Sequence, residues 1–277
     1  MDRGICTQGV YLMKKITKKT FVIGDIHGGH RALVQVLRRA KFDYEKDTLI
    51  CPGDVADGWP EVAECFEELL KIEHMVFVRG NHDQWLLDYL RFEETPDIWI
   101  KQGGQNSFLS YQKHPELKEK HRDFLIGTPF YHIDNKKRLY VHGGLTPGQN
   151  PETMDPEDLM WSRELWRLAG QGPVHVPGFK EVYVGHTSIW RFSSVPSHCG
   201  NVIFMDTGGG FEGKLSAMDV NSKEAFQSDI VGDLYPELCK RCHGSGCPQC
   251  ELCGRCNGNG CPACDGTKGS KYNPDGY

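Results

Sequence analysis

Phe21-Val22-Ile23-Gly24-Asp25-Ile26-His27-Gly28 is the stretch on which the reading of the fold turns. Three apolar residues, two of them β-branched, suit a short buried strand, and the glycine-containing polar segment after them lets the backbone turn sharply. The same pairing recurs along residues 20–220. Leu49-Ile50-Cys51 runs into Gly53-Asp54-Val55-Ala56-Asp57-Gly58, and Met75-Val76-Phe77-Val78 runs into Gly80-Asn81-His82-Asp83. Leu139-Tyr140-Val141 precedes His142-Gly143-Gly144, and Val182-Tyr183-Val184 precedes Gly185-His186-Thr187. Val202-Ile203-Phe204-Met205 precedes Asp206-Thr207-Gly208. Between the first three runs lie helical stripes: Ala32, Leu33, Val36 and Leu37, then Val62, Phe66, Leu69 and Leu70. The order β-α-β-α-β predicts an α/β fold with a parallel sheet core. Residues 93–138, punctuated by Pro96, Gly103-Gly104, Pro115 and Pro129, read as helices and loops capping the sheet.

The composition sets outer bounds. The chain has 277 residues, 39% hydrophobic and 25% charged, which suits a soluble globular protein with a sizeable core. A net charge of −5 argues against a whole-surface nucleic-acid or membrane binder. No apolar run reaches the roughly 18 residues of a membrane span, so no membrane association is expected. The N-terminus lacks an apolar signal core, and Met13 begins the basic run Met13-Lys14-Lys15, so residues 1–12 read as a dispensable extension. A reducing, cytoplasmic compartment is the expectation that follows.

Ligands of α/β sheets sit beyond the carboxyl ends of the strands, and the recurring polar residues lie there. Asp25, His27, Asp54, Asn81, His142 and His186 form a mixed oxygen and imidazole set that suits Mn, Fe or Zn. Six side chains are many for one metal and fit two, which together can clamp a phosphate and stabilise both attacking and leaving oxygens.

Five ordered blocks, each after a predicted strand, resemble the calcineurin-like metallophosphoesterases, within them the phosphoprotein phosphatase type with its bacterial and bacteriophage members. Val141-His142-Gly143-Gly144-Leu145-Thr146-Pro147 is especially similar to that family's form. The resemblance implies an α/β/β/α sandwich of two mixed sheets flanked by helices. It implies that Asp25 and His27 hold one metal, Asp54 bridges, and Asn81, His142 and His186 complete the second site. It also implies His82 as general acid, oriented by Asp57, a metal-bridging hydroxide as nucleophile, and Arg79 and Arg163 as phosphate ligands. The plainer reading of Asp57 is an N-cap for the helix beginning near Glu61.

Two positions depart from the pattern. The second block usually ends Asp-Arg-Gly, whereas Asp57 is followed by Gly58 and Trp59, so a substrate-binding arginine is missing; Arg31 and Arg191 are candidate replacements. Asp83 stands where protein phosphatases usually carry Glu.

Eight of the 12 cysteines fall between Cys239 and Cys264. They form a repeat of period 14: Cys239, Cys242, Cys247 and Cys250 map onto Cys253, Cys256, Cys261 and Cys264. Four Cys-x-x-Cys pairs supply eight thiolates, enough for two tetrahedral structural zinc ions. The element resembles the zinc-binding cysteine-rich region of the DnaJ co-chaperones, with shorter spacers. The expected organisation is an N-terminal extension over 1–19, a metallophosphoesterase domain over 20–235, a zinc-binding knuckle region over 236–266 and a flexible tail over 267–277.

The expected activity is two-metal hydrolysis of phosphomonoesters, including phosphoserine or phosphothreonine in proteins. The alternatives are a phosphodiesterase or nucleotide hydrolase acting on dinucleoside polyphosphates or nucleic-acid ends, and an interaction protein that only binds phosphorylated ligands. Phosphorylated protein or a small phosphoester is the expected substrate, with a protein or nucleic-acid partner for the zinc tail.

Overall fold

Two five-stranded mixed sheets pack face to face and carry helices on their outer faces, as determined from a computed structural model that describes residues 18–239 and 242–244. Most of the expected N-terminal extension, the expected flexible tail and Cys247, Cys250, Cys253, Cys256, Cys261 and Cys264 lie outside the described residues.

In chain order the strands are β1 (Thr20–Ile23), β2 (Thr48–Cys51), β3 (His74–Phe77), β4 (Tyr131–Ile133) and β5 (Arg138–Val141). They continue with β6 (Glu181–Val184), β7 (Ser197–Cys199), β8 (Val202–Phe204), β9 (Lys214–Asp219) and β10 (Ala225–Ile230). The first sheet runs β10-β9-β1-β2-β3 and the second β4-β5-β6-β8-β7. Strands β1, β2 and β3 are parallel, as are β5, β6 and β8, while the flanking strands are antiparallel. The first sheet thus ends in parallel β3 on one side and the antiparallel strands β9 and β10 on the other, whereas the second has an antiparallel strand at each edge.

The helices are α1 (His30–Ala40), α2 (Val62–Leu69), α3 (Asn81–Phe92), the short turn α4 (Asp97–Trp99), α5 (Gln105–Lys113) and α6 (Lys118–Ile126). Two more, α7 (Pro156–Trp161) and α8 (Glu164–Ala169), cover the second sheet. Residues 93–138 hold α4 to α6, as expected, and add the edge strand β4. Ala32, Leu33, Val36 and Leu37 are all fully buried on the inner face of α1, and Val62, Phe66 and Leu69 on that of α2.

Strand period explains the layers. Phe21 and Ile23 point to one side of β1 and pack under α1, while Val22 points to the other. Val22 and Ile50 of the first sheet meet Tyr140, Tyr183 and Ile203 of the second, with Tyr140 stacked on Tyr183 at 4.9 Å. This apolar seam aligns the carboxyl ends of both parallel centres along one rim.

Candidate active site

Six loops converge on that rim. Asp25 and His27 follow β1, Asp54 and Asp57 follow β2, and Asn81 and His82 open α3 after β3. From the second sheet, His142 follows β5, His186 follows β6 and Asp206 follows β8. His27, Asp54, Asp57 and His186 have positive φ of 46°, 55°, 71° and 64°. Left-handed backbone costs roughly 1–2 kcal/mol per residue, so the surrounding structure must enforce it. Asp83 does much of that. Its carboxylate accepts the N–H groups of Asp54 (2.7 Å), Val55 (2.9 Å), Ala56 (3.1 Å) and Gly80 (3.0 Å), binding the second loop to the start of α3.

Asp54 lies at the centre. The ligand atoms of His27, Asp54 and His82 lie within 4.8 Å of one another, and so do those of Asp54, His142 and His186. The Asp54 carboxylate is therefore common to two clusters. Its Oδ2 is 3.0 Å from His142 Nε2 and 3.7 Å from His27 Nε2, and its Oδ1 accepts the His82 N–H at 3.0 Å. Asn81 Oδ1 is also 3.0 Å from His142 Nε2. The Nδ1 atoms of His142 and His27 face the Pro52 and Ala56 carbonyls at 3.1 and 3.0 Å. A carbonyl can only accept, so in both rings Nδ1 carries the hydrogen and Nε2 faces the oxygens around Asp54, with a lone pair wherever the ring is neutral.

Lone pairs facing oxygens would repel, and the electrostatics carry the same tension. Burial pulls His27 down to about 4, with His82 adding to the shift, and burial with His142 and Arg163 holds His186 well below the usual imidazole value. Both rings are neutral near pH 7 and able to ligate. Burial raises Asp25 well above the carboxylate range, reinforced by the charges of Asp206 and Asp54, and pushes Asp206 up to about 6. Burial opposes ionisation of Asp54, but His142 and His82 outweigh it and hold that carboxyl far below its ordinary value. Asp25 Oδ1, Asn81 Nδ2 and His186 Nε2 are buried without a hydrogen-bond partner. Crowded carboxylates, neutral imidazoles and orphaned polar atoms form a donor set that divalent cations satisfy.

The His82–Asp57 pair adjoins the clusters. His82 Nδ1–H donates to Asp57 Oδ2 at 2.6 Å. Asp57 is fully buried and also accepts from Trp99 Nε1–H, at 2.9 Å to each oxygen, and from Ser107 Oγ–H at 2.6 Å. Burial would lower His82, but Asp54 and then Asp57 push it up to about 9. A carboxylate fixed by Trp99 and Ser107 thus holds a protonated imidazole in one orientation. Asp57 does not cap α2, whose N-cap is Glu61.

The structure redistributes some expectations. His82 falls within ligand distance of His27 and Asp54, whereas Asp25 is in neither cluster, its Oδ2 accepting the His186 N–H at 2.8 Å. Arg79 is turned away from the clusters. Its guanidinium donates to Thr128 Oγ1, Gln84 Oε1 and the carbonyls of Leu125, Ile126 and Thr128, and lies over Phe130, so here it braces the α6–β4 connection. Arg163, at the start of α8, is half-buried and close enough for its charge to lower His186. Arg31 is committed elsewhere: it donates to Glu61 (3.3 Å), Glu237 (2.6 Å) and the Leu234 carbonyl (2.7 Å). Arg191 is exposed, its guanidinium 5.4 Å from the Trp190 ring. Gly58 has φ 74°, and a Cβ there would lie 2.9 Å from that of His27, so no side chain fits where the family pattern has arginine. Asp206, Trp99 and Ser107 were absent from the sequence-derived set. Asp206 occupies the same post-strand position as the others, a signal the sequence did contain. Trp99 and Ser107 are 42 and 50 residues from Asp57, and nothing local links them to it.

The family profile described as calcineurin-like phosphoesterase matches residues 18–205. Serine/threonine-protein phosphatase 1 of Salmonella typhimurium is 29% identical over 216 residues, covering 72% of this chain and 90% of that protein. A symmetrical bis(5'-nucleosyl)-tetraphosphatase of Coxiella burnetii is 26% identical over 178 residues, covering 64% of this chain; the chain spans 57% of that protein. Among solved structures, a Saccharomyces cerevisiae protein serine/threonine phosphatase superposes with a TM-score of 0.52 at 16% identity, covering 76% of this chain and 80% of the other. A metallophosphoesterase from Sphaerobacter thermophilus gives 0.50 at 18% identity, covering 76% and 89%. These structural likenesses speak for the fold, and with the matched profile and the two-cluster site they lead to one assignment: the chain belongs to the calcineurin-like phosphoesterase family, and it is a hydrolase.

Proposed function

We propose that this chain hydrolyses phosphomonoesters, including phosphoserine and phosphothreonine in proteins, with His82 as the general acid. The observation that carries the reading is the His82–Asp57 pair set against the two clusters that share Asp54. Asp25, His27, Asp54, Asn81, His142 and His186 would hold two divalent cations, Mn²⁺ before Fe or Zn, and Asp206 adds a further carboxylate. Such cations lower the pKa of water and neutralise charge on phosphoryl oxygens. The chain's own residues do the rest. Asp57 fixes the His82 ring through Nδ1 and stabilises its charge, leaving Nε2–H to protonate the departing oxygen. Arg163, whose charge reaches His186, would hold a phosphoryl oxygen.

Gly58 favours a second reading, a nucleotide or dinucleoside polyphosphate hydrolase, because the pattern's arginine has no room there. The tetraphosphatase similarity is in keeping with it. The deciding experiment compares an aryl phosphomonoester with the matching diester in Mn²⁺, wild type against Asp54→Asn. Monoester preference, lost in the variant with folding retained, is expected. Diester preference would transfer the assignment to the second reading, and unchanged hydrolysis in the variant would remove Asp54 from the site.

We further propose that Cys239, Cys242 and the six cysteines beyond them hold two structural zinc ions. Purified chain would then release two zinc equivalents on thiol titration with a mercurial. The unpaired thiols Cys51, Cys65 and Cys199 are in keeping with a reducing, cytoplasmic location. Among the described residues no helix is long and apolar enough to cross a membrane.

A further inference from the structure

The start of the cysteine-rich segment touches the loop that carries the site. Three rings stack in series. Tyr235 lies on Trp59 with centroids 5.1 Å apart, and Trp59 lies on His243 at 3.8 Å, both pairs inclined by 13°. His243 follows Cys242, and its N–H donates to the Cys239 carbonyl at 2.8 Å. Cys239 is buried. Asn106 Nδ2 clasps both sides, donating to the Gly58 carbonyl at 2.5 Å and to the His243 carbonyl at 3.2 Å.

Trp59 is fixed in turn to the cation-holding loops. Its backbone N–H donates to the His27 carbonyl at 2.8 Å, and its indole N–H donates to the Gly209 carbonyl at 2.9 Å. A ring stack and one hydrogen bond therefore separate His243 from His27. The departure from the family pattern at positions 58 and 59 takes on a meaning. Glycine at 58 lets the loop press against His27, and tryptophan at 59 supplies the surface on which His243 sits.

We propose that Cys239 and residues 242–244 are the docking end of the cysteine-rich segment, and that His243, through Trp59, is a positioning residue for His27. His243 thereby sets the affinity of the phosphoesterase centre for its divalent cation. The inference rests on the cation-holding role proposed above for His27. An aromatic stack of this kind, lost from a loop that must stay ordered to bind, shifts affinity by roughly three- to tenfold.

The test uses the full chain and Mn²⁺ alone as probe, with free Mn²⁺ counted by its electron paramagnetic resonance signal. Thiol-bound zinc is counted separately by mercurial release into a metallochromic dye. His243→Ala is expected to raise the Mn²⁺ dissociation constant by roughly three- to tenfold with thiol-bound zinc unchanged, and His243→Phe, which keeps a stacking ring, to restore it. Wild-type Mn²⁺ affinity in His243→Ala would overturn the proposal, as would equal weakening in both variants. Absence of Mn²⁺ binding in the wild type would overturn it together with the role of His27. Absence of releasable zinc would sink the zinc reading alone, and the comparison of the two His243 variants would still decide the docking.

Discussion

Trp99→Phe separates proton delivery from cation binding. Trp99 is fully buried, and its indole N–H is shared between the two oxygens of Asp57 at 2.9 Å each. Phenylalanine keeps much of the ring and removes the donor. A hydrogen bond to a buried charge contributes about 1.5–3 kcal/mol. Asp57 keeps Ser107 and His82 as donors, so part of that loss reappears as a stronger pull on the His82 proton. If about 1 kcal/mol is transferred, His82 becomes a weaker acid by somewhat under one pKa unit, and its ring loses one constraint on orientation. A substrate whose leaving group needs the proton must feel this; para-nitrophenolate, which departs unprotonated, should not. The expected result is a loss in kcat of roughly five- to tenfold for an alkyl phosphate and under about twofold for para-nitrophenyl phosphate. Mn²⁺ content should be unchanged. Equal losses for both substrates, at full Mn²⁺ content, would refute the idea that Trp99 acts through Asp57 on the proton of His82.

In metal-free protein, Asp206 is pushed up to about 6 by burial and by Asp54. The unfolded chain then releases that proton first, so stability should fall as pH rises from about 4 to 6, by on the order of 2–3 kcal/mol. Urea melts in chelator should show this for the wild type and a flatter profile for Asp206→Asn; parallel profiles would count against a buried, repelled Asp206. Asp83→Ala strands the amides of Asp54, Val55, Ala56 and Gly80, and should lower stability by about 3–5 kcal/mol and abolish Mn²⁺ binding, as thermal melts and dialysis would reveal. Arg79→Ala should lower the melting temperature by several degrees with KM unchanged, because its guanidinium serves the α6–β4 connection. Arg163→Ala should do the reverse, raising KM about tenfold or more with little change in melting; a KM effect from Arg79 instead would restore the expectation drawn from sequence.

The parallel centres of both sheets were legible because Phe21–Ile23, Leu49–Cys51 and Val182–Val184 are buried on both faces and so form unbroken apolar runs. The antiparallel edges were not. Strand β9 buries Ser216 between Leu215 and Ala217, and β10 is half-exposed with Gln227, Ser228 and Asp229 in its middle, so neither has a continuous run. Among site residues, Asp25, His27, Asp54, Asn81, His142 and His186 were found because each follows a recognisable strand, though their metal-holding roles are proposals. The supports for Asp57 were hidden, since Trp99 and Ser107 meet it only through the tertiary fold. Arg79 was misplaced for a related reason: sequence puts it next to Gly80-Asn81-His82 but does not say which way a side chain one residue before a helix cap will point.

The two clusters differ in what they are anchored to. His27, Asp54 and His82 all rise from the first sheet, whereas His142 and His186 belong to the second and meet Asp54 only across the seam of Val22, Ile50, Tyr140, Tyr183 and Ile203. If the two clusters hold cations as proposed, one position would be internal to a single sheet and the other would be a rivet through both. Any loosening of the seam would be felt unequally, emptying the riveted position while the internal one stays filled. A preparation holding one cation per chain would then be a gauge of how tightly the two layers are clasped.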